Sequence, residues 1–163
     1  MAVPVATNIV ATSFVEAAEV QLRDILNESG KVLYSSAATL CPGEIYLLGV
    51  NPGGLPGAPG TTTVGENLSS FANKTTNDYL DEVWPGRSSL LQTRIKNLFA
   101  ERKHGVRTVC ASNVVFTRSP TEPSYKDFKP IASTCWPVHA NVISVVKPRL
   151  ILVFGSAPFY YLW

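Results

Sequence analysis

The sequence predicts an α/β protein of three layers, with a central parallel sheet between helices. Three observations carry this. Residues 44–50, 106–116 and 149–155 are short, nearly unbroken apolar runs, the pattern of strands buried on both faces. Segments with helical apolar spacing alternate with them, as right-handed crossovers between parallel strands require. Two of the strand exits carry an asparagine, Asn51 and Asn113, and ligands in such sheets bind beyond the carboxyl ends of the strands.

The first helix is expected over 12–30. Phe14, Val15, Ala18, Val20, Leu22, Ile25 and Leu26 form its apolar side, Thr12 or Ser13 its cap and Gly30 its end. The strand 44–50 breaks into Asn51–Gly60, a loop with four glycines and three prolines. Residues 61–86 read as polar and irregular, with one short helix around 76–83. A helix over 88–103 follows, striped by Leu90, Leu91, Ile95, Leu98 and Phe99 and ended by Gly105. The second strand is placed at 107–112 and stops before Thr117-Arg118-Ser119-Pro120. Residues 119–130 are expected as a loop and 131–146 as a helix with Pro137 in its first turn. The third strand covers 149–155, and Ser156-Ala157-Pro158 opens a last helix. No repeat or linker interrupts this order, so residues 1–163 read as one domain.

Composition narrows the classes further. Hydrophobic residues are 45% and charged residues 16%, which excludes a disordered chain. No apolar run reaches the roughly 20 residues of a membrane helix. The N-terminus has no basic segment before an apolar stretch, so no signal peptide and no membrane attachment are expected. Cys41, Cys110 and Cys135 form no Cys-x-x-Cys pattern, and free thiols in a reducing, intracellular setting are expected. Charge is lopsided: residues 1–86 carry a net −6 and residues 87–163 a net +8. An acidic partner, nucleic acid above all, would suit the second half. Halves that pack together and intermix their charges would give the same count.

The strand exits hold the candidate chemistry. Gly49-Val50-Asn51-Pro52-Gly53-Gly54 is neither a dinucleotide fingerprint nor a Walker loop. Its glycines let backbone approach a ligand, and the Asn51 carboxamide can orient a water. Asn-Pro-Gly is also a common turn sequence. Asn113 can donate and accept at once, which matches the C=O and N–H edge of a pyrimidine, although an asparagine can equally satisfy nearby backbone. Arg118 can contact phosphate or simply lie at the surface. His104 reads as solvated, and His139 as core or interface. No metal-binding pattern and no Gly-x-Ser-x-Gly occurs.

Four segments then carry a resemblance: Ile45-Tyr46-Leu47-Leu48-Gly49-Val50-Asn51-Pro52-Gly53, Ser112-Asn113-Val114-Val115-Phe116, Cys135-Trp136-Pro137, and Lys147-Pro148 through Ser156-Ala157. In this order the chain resembles the uracil-DNA glycosylase superfamily, most closely its mismatch-specific and single-strand-selective branches with Gly-x-Asn-Pro-Gly. The resemblance runs from about residue 44 to the end. It implies a uracil-DNA glycosylase-like fold and hydrolysis of the N-glycosidic bond of uracil or a related flipped base, part of base-excision DNA repair. Asn51 would position the attacking water. Gly49, Val50, Pro52, Gly53 and Gly54 would line the pocket, Asn113 would read the base edge, and Arg118 would contact DNA. Phe71 is the candidate for stacking on the base, with Trp84 as another. The implied partner is DNA bearing uracil or a mismatch. The implied protein is a monomer, cytoplasmic or nucleoid-associated, with no cofactor and no metal.

The family also carries a fourth strand and a His-Pro-Ser-type loop, whose histidine stabilises the departing base anion. No His-Pro-Ser occurs in the 163 residues, and the insert at 55–86 is longer than in the shorter family members. The resemblance therefore implies a C-terminally incomplete domain, feebly active at most and prone to aggregate through its apolar end. Two other classes fit the same residues. One is a catalytically silent nucleic-acid-binding relative. The other is an unrelated α/β small-molecule binder whose Asn-Pro-Gly loop holds a phosphate.

Overall fold

The computed structural model describes residues 5–83, 89–101, 105–123 and 125–162. Three strands form one parallel sheet: β1 (Ile45–Gly49), β2 (Cys110–Asn113) and β3 (Leu150–Val153), in the order β2-β1-β3. Tyr46 lies opposite Cys110 and Ile151, and Gly49 opposite Asn113. The described helices are α1 (Val5–Gln21), α2 (Val64–Phe71), α3 (Asp78–Asp81), α4 (Leu90–Glu101), α5 (Tyr125–Val146) and α6 (Ser156–Leu162). The alternating α/β order with a parallel sheet is as the sequence predicts.

Side chains alternate across the sheet and build two cores. Tyr46, Leu48, Cys110, Ile151 and Val153 face α1, α2, α5 and α6, among Phe14, Leu22, Leu68, Phe71, Phe128 and Val142. Leu47, Ala111 and Leu152 face α3 and α4, among Tyr79, Ile95 and Phe99. Helices therefore cover both faces, which is why all three strands read as continuous apolar runs. Beyond β2, residues 29–34 run antiparallel to the chain leaving the strand. Bridges join Gly30 to Thr117 and Leu33 to Ser112, and the Tyr34 amide donates to the Ala111 carbonyl at 2.8 Å. A Cβ on Gly30 would collide with the Phe116 carbonyl oxygen, so glycine is required there. On the other side, β3 pairs only with β1 among the described residues, and Leu150 is half exposed.

Several boundaries differ from the sequence reading. α1 begins and ends earlier, because residues 22–28 leave the helix as turns and carry the chain into the bridge at Gly30. The helix α2 was not expected. Its signal is a capping box: the Thr63 Oγ1 accepts from the Glu66 amide at 3.1 Å, and the Glu66 carboxylate accepts from the Thr63 amide at 2.7 Å. β2 starts later than expected, since Val106–Thr108 form a 3-10 turn. α5 starts six residues early and contains both Pro130 and Pro137. An interior proline costs about 3 kcal/mol. Buried on the same face are Phe128, Val138, Val142 and Val146, each stabilising by roughly 1.5–3 kcal/mol, so packing outweighs the two prolines.

His139 is buried at the centre of α5. Its Nε2 faces the Val114 carbonyl at 3.1 Å and so carries the proton, leaving Nδ1 to accept from the Tyr46 hydroxyl at 2.8 Å. Burial lowers its pKa to about 4, against partial opposition from the backbone hydrogen bond to Val114. The unfolded chain, with an ordinary histidine near 6.5, binds the extra proton first. Stability is therefore full above about pH 6.5 and is lost as pH falls through about 4, by on the order of 3 kcal/mol. Thermal melts from pH 7.5 to 4 should show this drop, and His139→Gln should show a shallower one. Parallel profiles would remove His139 as the cause.

Candidate functional site

The chain leaves β1 at Asn51 and β2 at Asn113, on adjacent parallel strands. Both asparagines line one cavity of about 250 Å³, together with Lys31, Tyr34, Gly53, Tyr79, Gln92 and Arg118. The antiparallel segment 29–34 brings in Lys31 and Tyr34, and α3 brings in Tyr79.

Asn51 is fixed by its own loop. Its Nδ2 donates to the Pro52 carbonyl at 3.0 Å and to the Ser119 carbonyl at 3.2 Å. Both neighbours are acceptors, so the amide orientation is determined by the hydrogen bonds. The Oδ1 is left as an acceptor with no protein donor among the described residues. Pro52 is buried, and its carbonyl also accepts from the Ser119 amide at 3.0 Å, tying the loop after β1 to the chain after β2.

Asn113 is 4% exposed, yet its carboxamide makes no hydrogen bond to the described residues. Gly49 makes room for it: a Cβ there would fall on the Asn113 carboxamide oxygen. The Tyr79 hydroxyl lies 3.5 Å from the same point. The Tyr79 ring stacks on Tyr34 at 5.4 Å with a 23° interplanar angle. Burial, aided by Asp78 and Glu82, raises the Tyr79 phenol, which stays a neutral donor at physiological pH. Burial raises Tyr34 as well, with Tyr79 adding to the effect.

Charged groups form one wall. Lys31 Nζ contacts Asp78 at 3.2 Å and Glu82 at 2.8 Å, and lies 5.4 Å from the centre of the Tyr34 ring. Lys74 contacts Asp78 at 2.9 Å and donates to the Leu33 carbonyl at 2.9 Å. Burial lowers the Lys74 pKa, opposed by Asp78. Arg118 differs from these lysines, since no carboxylate pairs with it among the described residues. Its Nη1 donates to the Gly53 carbonyl, and its Nε is buried without a partner. A second cavity of about 540 Å³ shares Lys31, Gly53 and Arg118 and is floored by Thr61, Thr62 and Ser70.

The structure thus brings Asn51, Asn113, Gly53 and Arg118 to one place. Gly54 lines the neighbouring cavity and takes a positive φ of 94°. Gly49 lies beneath Asn113, while Val50 and Pro52 support the loop: the Val50 carbonyl accepts from Val115, and its side chain packs into the core. Phe71 is corrected. It is buried on α2 with its ring edge-on to Phe14 at 5.6 Å, in the core across the sheet from Tyr79. The capping box that forms α2 turns Phe71 towards α1 and away from the strand exits. Among the described residues the cavity's aromatics are Tyr34 and Tyr79. Trp84 and His104 lie outside the described residues.

Other features are less suited to chemistry. A third cavity, about 630 Å³, opens at the opposite ends of the strands, beside Ile45, Phe99 and Leu150. Its lining is mainly apolar, and among the described residues no buried unpartnered polar group faces it. Cys110 and Cys135 are buried free thiols, each pushed up to about 12 by burial and so held as inert thiols. Among the described residues two ion pairs join the oppositely charged halves, Arg107 with Asp81 and Arg149 with Glu44. No described helix is long and apolar enough to cross a membrane. No protein-family model and no curated protein matches this chain.

Proposed function

We propose that the chain is a DNA base-excision glycosylase of the uracil-DNA glycosylase type, acting on uracil or a related base flipped out of DNA. One observation carries the reading. Asn51 and Asn113, leaving adjacent parallel strands, share a cavity in which, among the described residues, the Asn51 oxygen has no donor and the Asn113 carboxamide has no hydrogen-bond partner. A pyrimidine edge supplies the donor and acceptor that Asn113 lacks. Asn51 Oδ1 takes a hydrogen bond from a water and holds it against the sugar. That water attacks C1′, the C1′–N1 bond breaks, and its electron pair leaves with the base. The water's proton passes to solvent, because a carboxamide is too weak a base to keep it. In this reading the three strands correspond to the first three of that fold.

The test is single-turnover release of free uracil from single-stranded and duplex oligonucleotides, with protein in excess. These conditions suit slow chemistry, as expected for residues that include no His-Pro-Ser loop. Release of the base supports the reading. Salt-dependent DNA binding without release would move the assignment to a silent nucleic-acid-binding relative.

Arg118 supplies the positive charge next to the cavity. Arg118→Gln keeps a donor for the Gly53 carbonyl but removes the charge. For one lost phosphate contact, the slope of log affinity against log salt should fall by about 0.9 for duplex DNA, or about 0.7 for a single strand. An unchanged slope would take Arg118 out of the DNA contact.

A further inference from the structure

Resting on that reading, we propose that Tyr79 is a second base-reading residue, whose hydroxyl works beside the Asn113 carboxamide to select a planar ring with an imide edge. The argument starts from hydrogen-bond satisfaction. Buried polar side chains almost always have partners. The Asn113 carboxamide and the Tyr79 hydroxyl, on residues each 4% exposed, make no hydrogen bond to the described residues and are not among the polar atoms sealed from solvent, so what they meet is the cavity. They flank the same point above Gly49 and line the same cavity.

The geometry suits a rigid reader. Tyr79 sits in the first turn of α3, where the Asn77 carboxamide oxygen accepts from its backbone amide at 3.0 Å. Its ring is held flat on Tyr34, so the hydroxyl has little freedom. Asn113 offers one donor and one acceptor side by side. Tyr79 adds a neutral O–H. An imide edge presents carbonyl, N–H and carbonyl in a row. Asn113 takes the N–H with its oxygen and one carbonyl with its amide, and Tyr79 donates to the other carbonyl. A ring methylated at that nitrogen loses the central donor and clashes with the carboxamide.

The experiment is an NMR titration of free uracil and of 3-methyluracil into the wild-type chain, Tyr79→Phe and Asn113→Ala. Wild type is expected to bind uracil and reject 3-methyluracil. Tyr79→Phe keeps the stacked ring and should retain the wild-type melting temperature while binding uracil roughly tenfold more weakly, the effect of one hydrogen bond. Equal uracil affinity in wild type and Tyr79→Phe overturns the proposal. So does a wild type that binds no uracil up to its solubility limit. Base release from oligonucleotides is scored separately. A chain that binds uracil through Tyr79 but releases none keeps the reader and loses the hydrolysis. A chain whose release and uracil binding are both indifferent to Tyr79→Phe does the reverse.

Discussion

Asn51→Ala is expected to lower uracil release at least a hundredfold while changing DNA affinity by less than about twofold. Misplacing a reactant by an ångström can cost about a hundredfold, and Asn51 carries the one fixed acceptor proposed to hold the water. The loss should fall on the chemical step, because Asn51 has no charge to offer phosphate. The substitution also removes two hydrogen bonds, to the Pro52 and Ser119 carbonyls. At about 0.5–1.5 kcal/mol each, they should lower the melting temperature by several degrees, so release must be compared well below the transition. Equal release by the variant and wild type would remove Asn51 from the mechanism. A large loss of DNA affinity would show instead that it holds the loop in a binding conformation.

The legible parts of the fold were those with strong local signals. The runs containing Leu47, Ala111 and Leu152 read as strands because helices cover both sides of the sheet, leaving no polar face to break them. Asn51 and Asn113 could be paired from sequence because parallel strands put their carboxyl ends on one side. What failed depended on longer-range packing. α5 absorbs two prolines because its buried face compensates, which no local propensity can express. Phe71 as a stacking residue follows from the family resemblance alone; the Thr63–Glu66 capping box makes residues 64–71 a helix and puts Phe71 on its buried stripe. Tyr34 and Tyr79 had no local signature. They meet because residues 29–34 return along β2, a pairing fixed by close contacts at Gly30 and Ser112 rather than by any repeat.

Gly49→Ala should disable base recognition with only a modest loss of stability. The added methyl would occupy the position of the Asn113 carboxamide oxygen, and something must yield. The backbones are held in register, with the Val114 amide bonded to the Gly49 carbonyl at 3.0 Å. Among the described residues the Asn113 side chain has no hydrogen-bond partner to hold it, so it is the side chain that turns away. Overpacking of this kind costs roughly 1–3 kcal/mol, and part of that is relieved by the rotation. Base binding is affected more severely, because both the donor and the acceptor leave the cavity together. Uracil release should fall about a hundredfold, and free-uracil binding should be lost. Gly53→Ala is the control. It sits four residues along, in the loop that follows β1, lines the cavity that holds Asn113, and its Cβ would meet nothing within 4 Å. That variant should melt and bind uracil like wild type. If Gly49→Ala also bound uracil like wild type, Asn113 would not be the base reader. If both variants lost binding equally, the loop backbone rather than the asparagine would be setting recognition.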